Sequence, residues 1–209
     1  KDLFHEPSVK VPLIIYDPSP EADATRGTVC DALVESIDLA PTFVEMAGGA
    51  PRDEHLEGLS LLPYLHGEAP ECWRDFVVSE YDYSMTAMAA KMGVNAKDAR
   101  LFMLFDGRWK LTHAEGGMPP MLFDLETDTN ELVDLGRDPA YEEQRQACYD
   151  RLGEWARRCA QRNTMSDEEI VSRRGKSRRK GIVLGMADPS AADPELTVRY
   201  SGKTKQRFV

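Results

Sequence analysis

Residues 101–113 read LFMLFDGRWKLTH, two apolar runs separated by Asp106-Gly107. Aromatic and aliphatic residues of this kind favour strands, and Asp-Gly is a strong signal for a two-residue β-hairpin turn. The stretch therefore predicts an antiparallel pair of strands, Leu101–Phe105 and Trp109–His113. Two further strands are predicted at Phe76–Tyr81 and Met121–Leu125.

A long helix follows these strands. Between Ala140 and Arg162, side chains recur at the three- to four-residue spacing of an amphipathic helix. They are Tyr141, Arg145, Cys148, Leu152, Trp155 and Cys159. The pattern predicts a small four-stranded antiparallel sheet packed by one long helix.

The residues ahead of the sheet indicate a different organisation. The apolar, β-branched run Val9–Pro18 predicts a buried strand of an α/β sheet, and Ser36–Gly48 predicts a short helix. The apolar face of that helix carries Ile37, Ala40, Val44 and Ala47. A helical turn at Leu59–Leu65 precedes a linker that ends near Pro70. For the span Ser84–Ala99, a mobile lid and an interface helix are equally open.

Composition excludes several classes of protein. The chain has 209 residues, 42% of them hydrophobic, and a net charge of −10, which disfavours free nucleic acid and anionic membranes as partners. Its apolar runs are far shorter than the roughly 20 residues that span a bilayer. Because Lys1 follows neither an initiator Met nor an apolar signal segment, we expect the chain to begin inside a longer polypeptide.

The cysteines favour free or structural thiols. Cys30, Cys72, Cys148 and Cys159 form no Cys-x-x-Cys pair, so neither a zinc site nor a redox pair is indicated. Thiols favour a reducing compartment, and the predicted location is cytoplasmic, with the periplasm left open.

The charge balance reverses from residue 165 onward, where basic residues outnumber acidic ones. The cluster Arg173–Lys180 has no interleaved aromatic residue, which argues against a nucleic-acid site. A solvated tail and an arm that docks on an acidic neighbouring subunit are both open. We expect a homo-oligomer formed through this tail.

Several segments, in a fixed order, resemble the sulfatase family of the alkaline-phosphatase-like superfamily. Lys1–Ile14 resembles the segment in which an active-site lysine precedes a Glu/Pro-rich turn and a Val-Arg-Val-Pro strand. The other similar segments are Ser36–Thr42 with Ala47-Gly48, Glu57–Gly67, Gly107–Leu111, Leu122–Asp128 and Glu131–Leu135. Gly116–Asp124 most resembles the bacterial phosphonate monoester hydrolase and arylsulfatase branch. The resemblance covers roughly residues 1–160.

The resemblance implies a domain organisation. Residues 1–68 would be the C-terminal part of the large α/β sulfatase domain, the end of an alkaline-phosphatase-like α/β sandwich. Residues 69–164 would form the small sheet-plus-helix subdomain, and residues 165–209 the basic tail.

The resemblance also implies the chemistry. The family nucleophile is a formylglycine made from Cys-x-Pro-x-Arg, and none of the four cysteines here has that context. That motif and the ligands of a divalent metal (calcium, manganese or magnesium) would therefore lie upstream of Lys1. Small sulfate, phosphonate or phosphate esters would be the substrates, and this chain alone would be inactive. The alternative is a non-catalytic oligomerisation or binding module with a sulfatase-like sequence.

Only a few site residues are expected within this chain. The resemblance makes Lys1 the catalytic candidate, a cation that steadies negative charge on the leaving oxygen. Candidates for substrate binding are His5, because it lies four residues after Lys1, and Tyr81, Tyr83 and His113, because loops at sheet ends often carry binding groups. No metal ligand is expected here.

Overall fold

The structure of the chain is a computed structural model that describes residues 3–68, 70–158 and 166–173. Residues Lys1–Thr164 form one compact unit and Met165–Val209 a second. The division at residue 68 within the first unit stays a prediction, as does the role of the basic tail, which lies outside the described residues except for its start.

Short helices alternate with loops ahead of the sheet, and one long helix follows it. The helices are α1 (Glu6–Val9), α2 (Leu39–Met46), α3 (Leu62–Leu65), α4 (Ala87–Met92), α5 (Glu142–Ala156) and α6 (Asp167–Arg173). The strands are β1 (Val77–Asp82), β2 (Arg100–Phe105), β3 (Trp109–Ala114) and β4 (Met121–Asp124). None of these helices in the described part of the chain is long and apolar enough to cross a membrane.

The four strands form an antiparallel sheet in the order β1-β2-β3-β4, which confirms the predicted architecture. The turn between β2 and β3 shows why Asp106-Gly107 is a hairpin signal. The Asp106 carboxylate accepts the N–H of Trp109 at 2.7 Å, and Gly107 has a φ of +95°. A left-handed φ of this kind strongly favours glycine.

Each face of the sheet is covered. Helix α5 packs on one face, where Cys148 joins Leu104, Leu111 and Leu122 in a buried cluster. The segment Leu3–Val9 and the residues around α4 pack on the other. There the buried cluster contains Phe4, Tyr83, Ala89, Ala99, Leu101, Met103 and Ala114. The predicted long helix is thus confirmed, although it begins at Glu142 after a turn at Pro139–Tyr141.

The buried thiol of Cys148 gives a testable consequence. Burial, with a contribution from the Asp106 carboxylate, raises the pKa of Cys148 to about 11. Because only the thiolate reacts with alkylating reagents, about one Cys148 in a thousand is reactive at pH 8. Cys30 and Cys72 are exposed free thiols. We expect iodoacetamide at pH 8 to modify Cys30 and Cys72 in the native chain and Cys148 only after denaturation, as read by peptide mass mapping. Native alkylation of Cys148 at the rate of Cys72 would contradict this.

The predicted strand at Val9–Pro18 does not form. Glu6–Val9 is a helical turn, and the backbone from Lys10 to Pro18 is irregular. A strand needs a neighbour for its N–H and C=O groups, and no strand of the described residues lies beside this run. Most of its side chains are left in solvent, with Ile14 92% exposed, although Asp17 is buried.

The predicted helix at Ser36–Gly48 forms, but its predicted buried face is wrong. The buried residues are Asp38, Pro41 and Thr42, whereas Ile37 is exposed. Ala40 and Ala47 are exposed too, and Val44 is half-buried. The buried face is polar because Asp38 and Thr42 have hydrogen-bond partners from other segments. Thr42 Oγ1 accepts the N–H of Leu61 at 2.9 Å, for example.

Residues that directly follow the predicted linker near Pro70 contact residues that precede it. Trp73 Nε1 donates to the carbonyl oxygen of Leu33 at 2.8 Å, and Arg74 pairs with Asp38. The Trp73 ring packs edge-on against Tyr64, with 4.8 Å between the ring centroids. These contacts hold residues 33–64 against the start of the sheet.

The span Ser84–Ala99, for which a lid and an interface helix are the predicted alternatives, contains α4 and a 3-10 turn at Ala96–Asp98. Thr86 caps α4 by accepting the N–H of Ala89 at 3.3 Å, and Gly93 ends it in the left-handed conformation. Ala89 is buried, whereas Met85 is almost fully exposed. The lid and the interface helix both stay predictions.

Candidate functional site

The predicted site residues fall on both faces of the sheet. Lys1 lies outside the described residues. His5 precedes α1, Tyr81 lies in β1 and Tyr83 follows that strand. His113 lies in β3 opposite Phe102 of β2.

Tyr81, Tyr83 and the N-terminal segment share one face. Tyr83 belongs to the buried cluster that contains Phe4, and its ring stacks on that of Tyr81 with 6.4 Å between centroids. The ring of His5 meets the edge of Phe123 at 5.8 Å. The structure therefore places His5, Tyr81 and Tyr83 on the side of the sheet that carries the N-terminal segment.

His113 lies on the opposite face of the sheet, away from the other candidate residues. Its Nδ1 is 3.1 Å from the hydroxyl oxygen of Tyr149 on α5, and its ring packs edge-on against the ring of that tyrosine. Tyr149 on α5 and Phe102 on β2 are thus neighbours of this side chain. Its role in substrate binding is untested, but it does not share a surface with Tyr81.

A small cavity of about 200 Å³ opens between the N-terminal segment and β1. It is lined by Leu3, Phe4, Ser8, Val9, Ser79, Glu80 and Tyr81. Sites for small molecules usually span about 300–1,000 Å³. The cavity is therefore large enough for one part of a ligand rather than a whole drug-sized molecule.

A buried lysine was not singled out by the sequence. Lys110 of β3 is 1% exposed, and its Nζ donates to three oxygens. These are Glu6 Oε1 at 2.5 Å, Glu131 Oε1 at 2.9 Å and the carbonyl of Phe4 at 3.1 Å. We call Lys110, Glu6, Glu131 and His5 the Lys110 cluster.

Glu131 connects the remaining members of the Lys110 cluster. Its Oε2 accepts the backbone N–H of Glu6 at 2.8 Å and lies 3.2 Å from His5 Nδ1. Burial alone raises the pKa of the Glu131 carboxyl. The hydrogen bonds from Lys110 and the Glu6 N–H outweigh it, so the pKa lies below its ordinary value. Glu131 is therefore ionised at neutral pH.

The strand pattern of the sequence indicates the face on which Lys110 lies, but not its partners. Successive residues of a strand point to opposite faces, so Lys110 faces away from Leu111 and towards the N-terminal segment. In a sheet covered on one face only, Lys110 would be solvated. Because both faces are covered here, a lysine at this position must be buried and must find carboxylates.

The described residues do not fit a catalytic metal. No group of three or more His, Cys, Asp or Glu side chains within them could hold a metal ion. The buried carboxylate of Glu131 is already paired with Lys110. We therefore derive no step through a metal in this part of the chain.

Known proteins match this sequence and fold. A family model described as N-sulphoglucosamine sulphohydrolase, C-terminal, matches residues 1–158. The multifunctional alkaline phosphatase superfamily protein PehA of Trinickia caryophylli is 32% identical over 142 residues, 66% of this chain and 27% of that protein. An arylsulfatase of Clostridium perfringens (strain 13 / Type A) is 31% identical over 143 residues, 68% of this chain and 27% of that protein.

A solved structure shows the same fold. The phosphonate monoester hydrolase SpPMH from Silicibacter pomeroyi superposes with a TM-score of 0.58 at 31% identity, over 62% of this chain and 26% of that one. This chain therefore spans about a quarter of the length of the relatives that it matches.

Proposed function

Since this chain belongs to the family of the N-sulphoglucosamine sulphohydrolase C-terminal domain, in the alkaline-phosphatase-like superfamily, we propose that it is the C-terminal part of an ester hydrolase. Its substrates are small sulfate esters, or phosphonate or phosphate esters. The observation that carries the proposal is the family match over residues 1–158, which includes the N-terminal segment as well as the sheet. The resemblance to sulfatases and phosphonate monoester hydrolases that was predicted from the sequence is confirmed.

The remaining machinery is proposed to lie in the polypeptide that precedes Lys1. There a formylglycine acts as the nucleophile, and carboxylate and amide side chains hold calcium, manganese or magnesium. Support comes from the share of the relatives that this chain covers, about a quarter. Lys1 is the residue of this chain proposed to reach the leaving oxygen.

An exposed apolar surface supports residues 1–68 as the end of a larger α/β domain. Several large apolar side chains of this region stand in solvent, and exposed apolar side chains in such numbers favour a partner that covers them. They include Val11, Ile14, Tyr16, Val29 and Phe43. We propose that the preceding polypeptide covers these side chains.

The tail and the location complete the proposal. Residues 165–209 form an arm that contacts a neighbouring subunit of a homo-oligomer, and the enzyme is cytoplasmic. The excess of basic residues in the tail beside an acidic body supports the arm.

The test compares two proteins. One is the longer polypeptide that contains this chain together with its preceding residues, and the other is residues 1–209 alone. We expect the longer protein to hydrolyse 4-nitrophenyl sulfate or 4-nitrophenyl phenylphosphonate in the presence of a divalent metal, and the isolated chain to show no turnover. Peptide mass mapping should find a Cys-x-Pro-x-Arg motif with its cysteine converted to formylglycine. Turnover by the isolated chain would contradict the proposal, and an inactive longer protein without that motif would favour a non-catalytic module.

A further inference from the structure

Two exposed thiols lie on segments that the fold brings together. Cys30 and Cys72 are free and exposed, whereas Cys148 is buried. The spacing of Cys30 and Cys72 in the sequence does not mark them as a pair. Contacts between residues 25–33 and residues 65–73 relate the two cysteines instead.

The first contact between these two segments is made by Thr25. Its hydroxyl donates to the carbonyl oxygen of Leu65, and a Cβ at Gly67 would lie 3.6 Å from Thr25 Cγ2. His66 Nε2 also lies 3.0 Å from Asp17 Oδ2. The start of the second segment is thus held against the residues up to Thr25.

The second contact is at the other end of both segments. Trp73 Nε1 donates to the carbonyl oxygen of Leu33 at 2.8 Å. Each segment advances eight residues from the first contact to the second, so the contacts follow the same order along both. Cys30 and Cys72 lie towards the second contact, three residues before Leu33 and one residue before Trp73.

The ring pair of Tyr64 and Trp73 connects the two thiols. Burial raises the pKa of the Tyr64 hydroxyl, and the negative charge of a Cys30 thiolate raises it further. An effect of this kind requires the two groups to be near each other. The Tyr64 ring in turn packs edge-on against Trp73, with 4.8 Å between centroids. Since Cys72 directly precedes Trp73, both thiols lie beside this ring pair.

The surroundings of the two thiols permit a bond between them. Both cysteines belong to irregular backbone between helices and strands. Such backbone can adjust to the separation of about 4.4–6.8 Å that a disulfide needs between Cα atoms. Asp31 and Glu71, the neighbours of the cysteines in the sequence, are exposed carboxylates. Their charges favour the approach of a cationic or neutral reagent over an anionic one.

We propose that Cys30 and Cys72 form a thiol–disulfide exchange site for small cationic or neutral disulfides, and that the exchange ends in a bond between the two residues. The thiolate of one cysteine attacks the reagent, forms a mixed disulfide and releases one thiolate. The thiolate of the other attacks the protein-bound sulfur and releases the second. The two protein thiols are oxidised, the reagent is reduced to two thiols, and these take up the two protons.

The bond would close a loop that contains α2 and α3. A cross-link of this kind restricts the unfolded chain, so the oxidised chain should unfold at a higher urea concentration than the reduced chain. In a reducing compartment both thiols stay free, and the bond forms when small disulfides accumulate. The inference is independent of the proposed function.

The test uses cystamine, a cationic disulfide, at about 0.1 mM, well below the roughly millimolar effective concentration of groups joined in one chain. Cys159, which lies outside the described residues, is replaced by serine in every protein. Peptide mass mapping then counts the products. We expect Cys30 and Cys72 to be linked to each other about ten times as often as both are capped by cysteamine. Cys30→Ser should leave Cys72 capped, because the second thiol is missing.

Cys30→Ser combined with Met85→Cys is the matched control. Met85 is 99% exposed and follows the far end of β1 from Cys72, and six residues of strand span about 20 Å. This variant also has two exposed thiols. Both should be capped by cysteamine rather than linked.

Three results would overturn the inference. They are capping of Cys30 and Cys72 without a link, a link between two chains, and equal linking in the Met85→Cys control. The reaction is repeated on the longer polypeptide, because Val29 is among the side chains that the preceding residues are proposed to cover. Absence of the link there would overturn the inference for the longer protein. None of these readouts uses turnover, so the proposed function is tested separately.

Discussion

Replacing Arg74 with methionine is expected to lower the free energy of unfolding of the chain by about 3–5 kcal/mol. Asp38 is fully buried, with an exposed fraction of 0%. Arg74 donates from its two terminal nitrogens to the two carboxylate oxygens of Asp38, at 2.6 and 2.5 Å. Methionine fills a similar volume but leaves the Asp38 charge without a counter-ion, and an uncompensated buried charge is strongly destabilising.

The loss should extend beyond one ion pair. The Asp38 carboxylate also accepts the backbone N–H of Leu59 and of Glu35, each at 2.8 Å. Glu35 in turn accepts the N–H of Val78 at 2.9 Å, at the start of the sheet. A shift of Asp38 would disturb the contact between residues 35–59 and β1.

Urea unfolding of the isolated chain, followed by circular dichroism, measures the change. Arg100→Met is the matched control, because its pair with Glu80 is nearly half-exposed on both sides. Exposed pairs contribute about 0–1 kcal/mol. Equal losses for Arg74→Met and Arg100→Met would show that the Asp38 carboxylate is solvated in the folded chain.

The sheet and its helix could be predicted because their signals are local. Asp106-Gly107 sets the hairpin, and the continuous apolar run of β2 needs no information from elsewhere in the chain to be recognised as a buried strand. The three- to four-residue spacing after residue 140 predicts α5 in the same way. The hairpin and α5 are therefore specified mainly by residues that are close in the sequence.

The residues ahead of the sheet were harder to predict because their partners are remote. The side of α2 that carries Asp38 is buried because Arg74 arrives from 36 residues later. No helical pattern contains that contact, and hydrophobicity alone selects Ile37, which is exposed. The run Val9–Pro18 has the composition of a strand but no strand beside it in the described residues.

The candidate site shows the same limit. The resemblance assigns a role to Lys1, whereas Lys110 and Glu131 merely lie within segments that match the family. Their importance depends on a register between residues 4–6 and β3, which no spacing along the chain reveals. Conversely, His113 and Tyr81 look alike in sequence as polar groups at strand ends. The pairing of the strands places them on opposite faces.

Gly58 explains why one of the matching segments contains a glycine, and it yields the second stability prediction. A Cβ at Gly58 would lie 2.7 Å from the backbone N of Asp38 and closer still to the carbonyl of Ile37. These are backbone atoms, so a neighbouring side chain cannot rotate away. Gly58→Ala therefore forces residues 37 and 38 to move, and with them the carboxylate that Arg74 binds.

We expect Gly58→Ala to lower the free energy of unfolding by about 1–3 kcal/mol, the usual cost of overpacking. The φ of Gly58 lies outside the left-handed region, so without the clash alanine would stabilise the chain by restricting the unfolded state. A loss of stability would thus show that the backbone of Gly58 lies close to that of Ile37 and Asp38.

Gly153→Ala in α5 is the control of opposite sign. Its Cβ would meet only the end of the Arg157 side chain, at 3.1 Å, and alanine in a helix stabilises by up to about 1 kcal/mol. If urea unfolding shows both variants to be more stable than the original chain, Gly58 does not pack against Ile37 and Asp38.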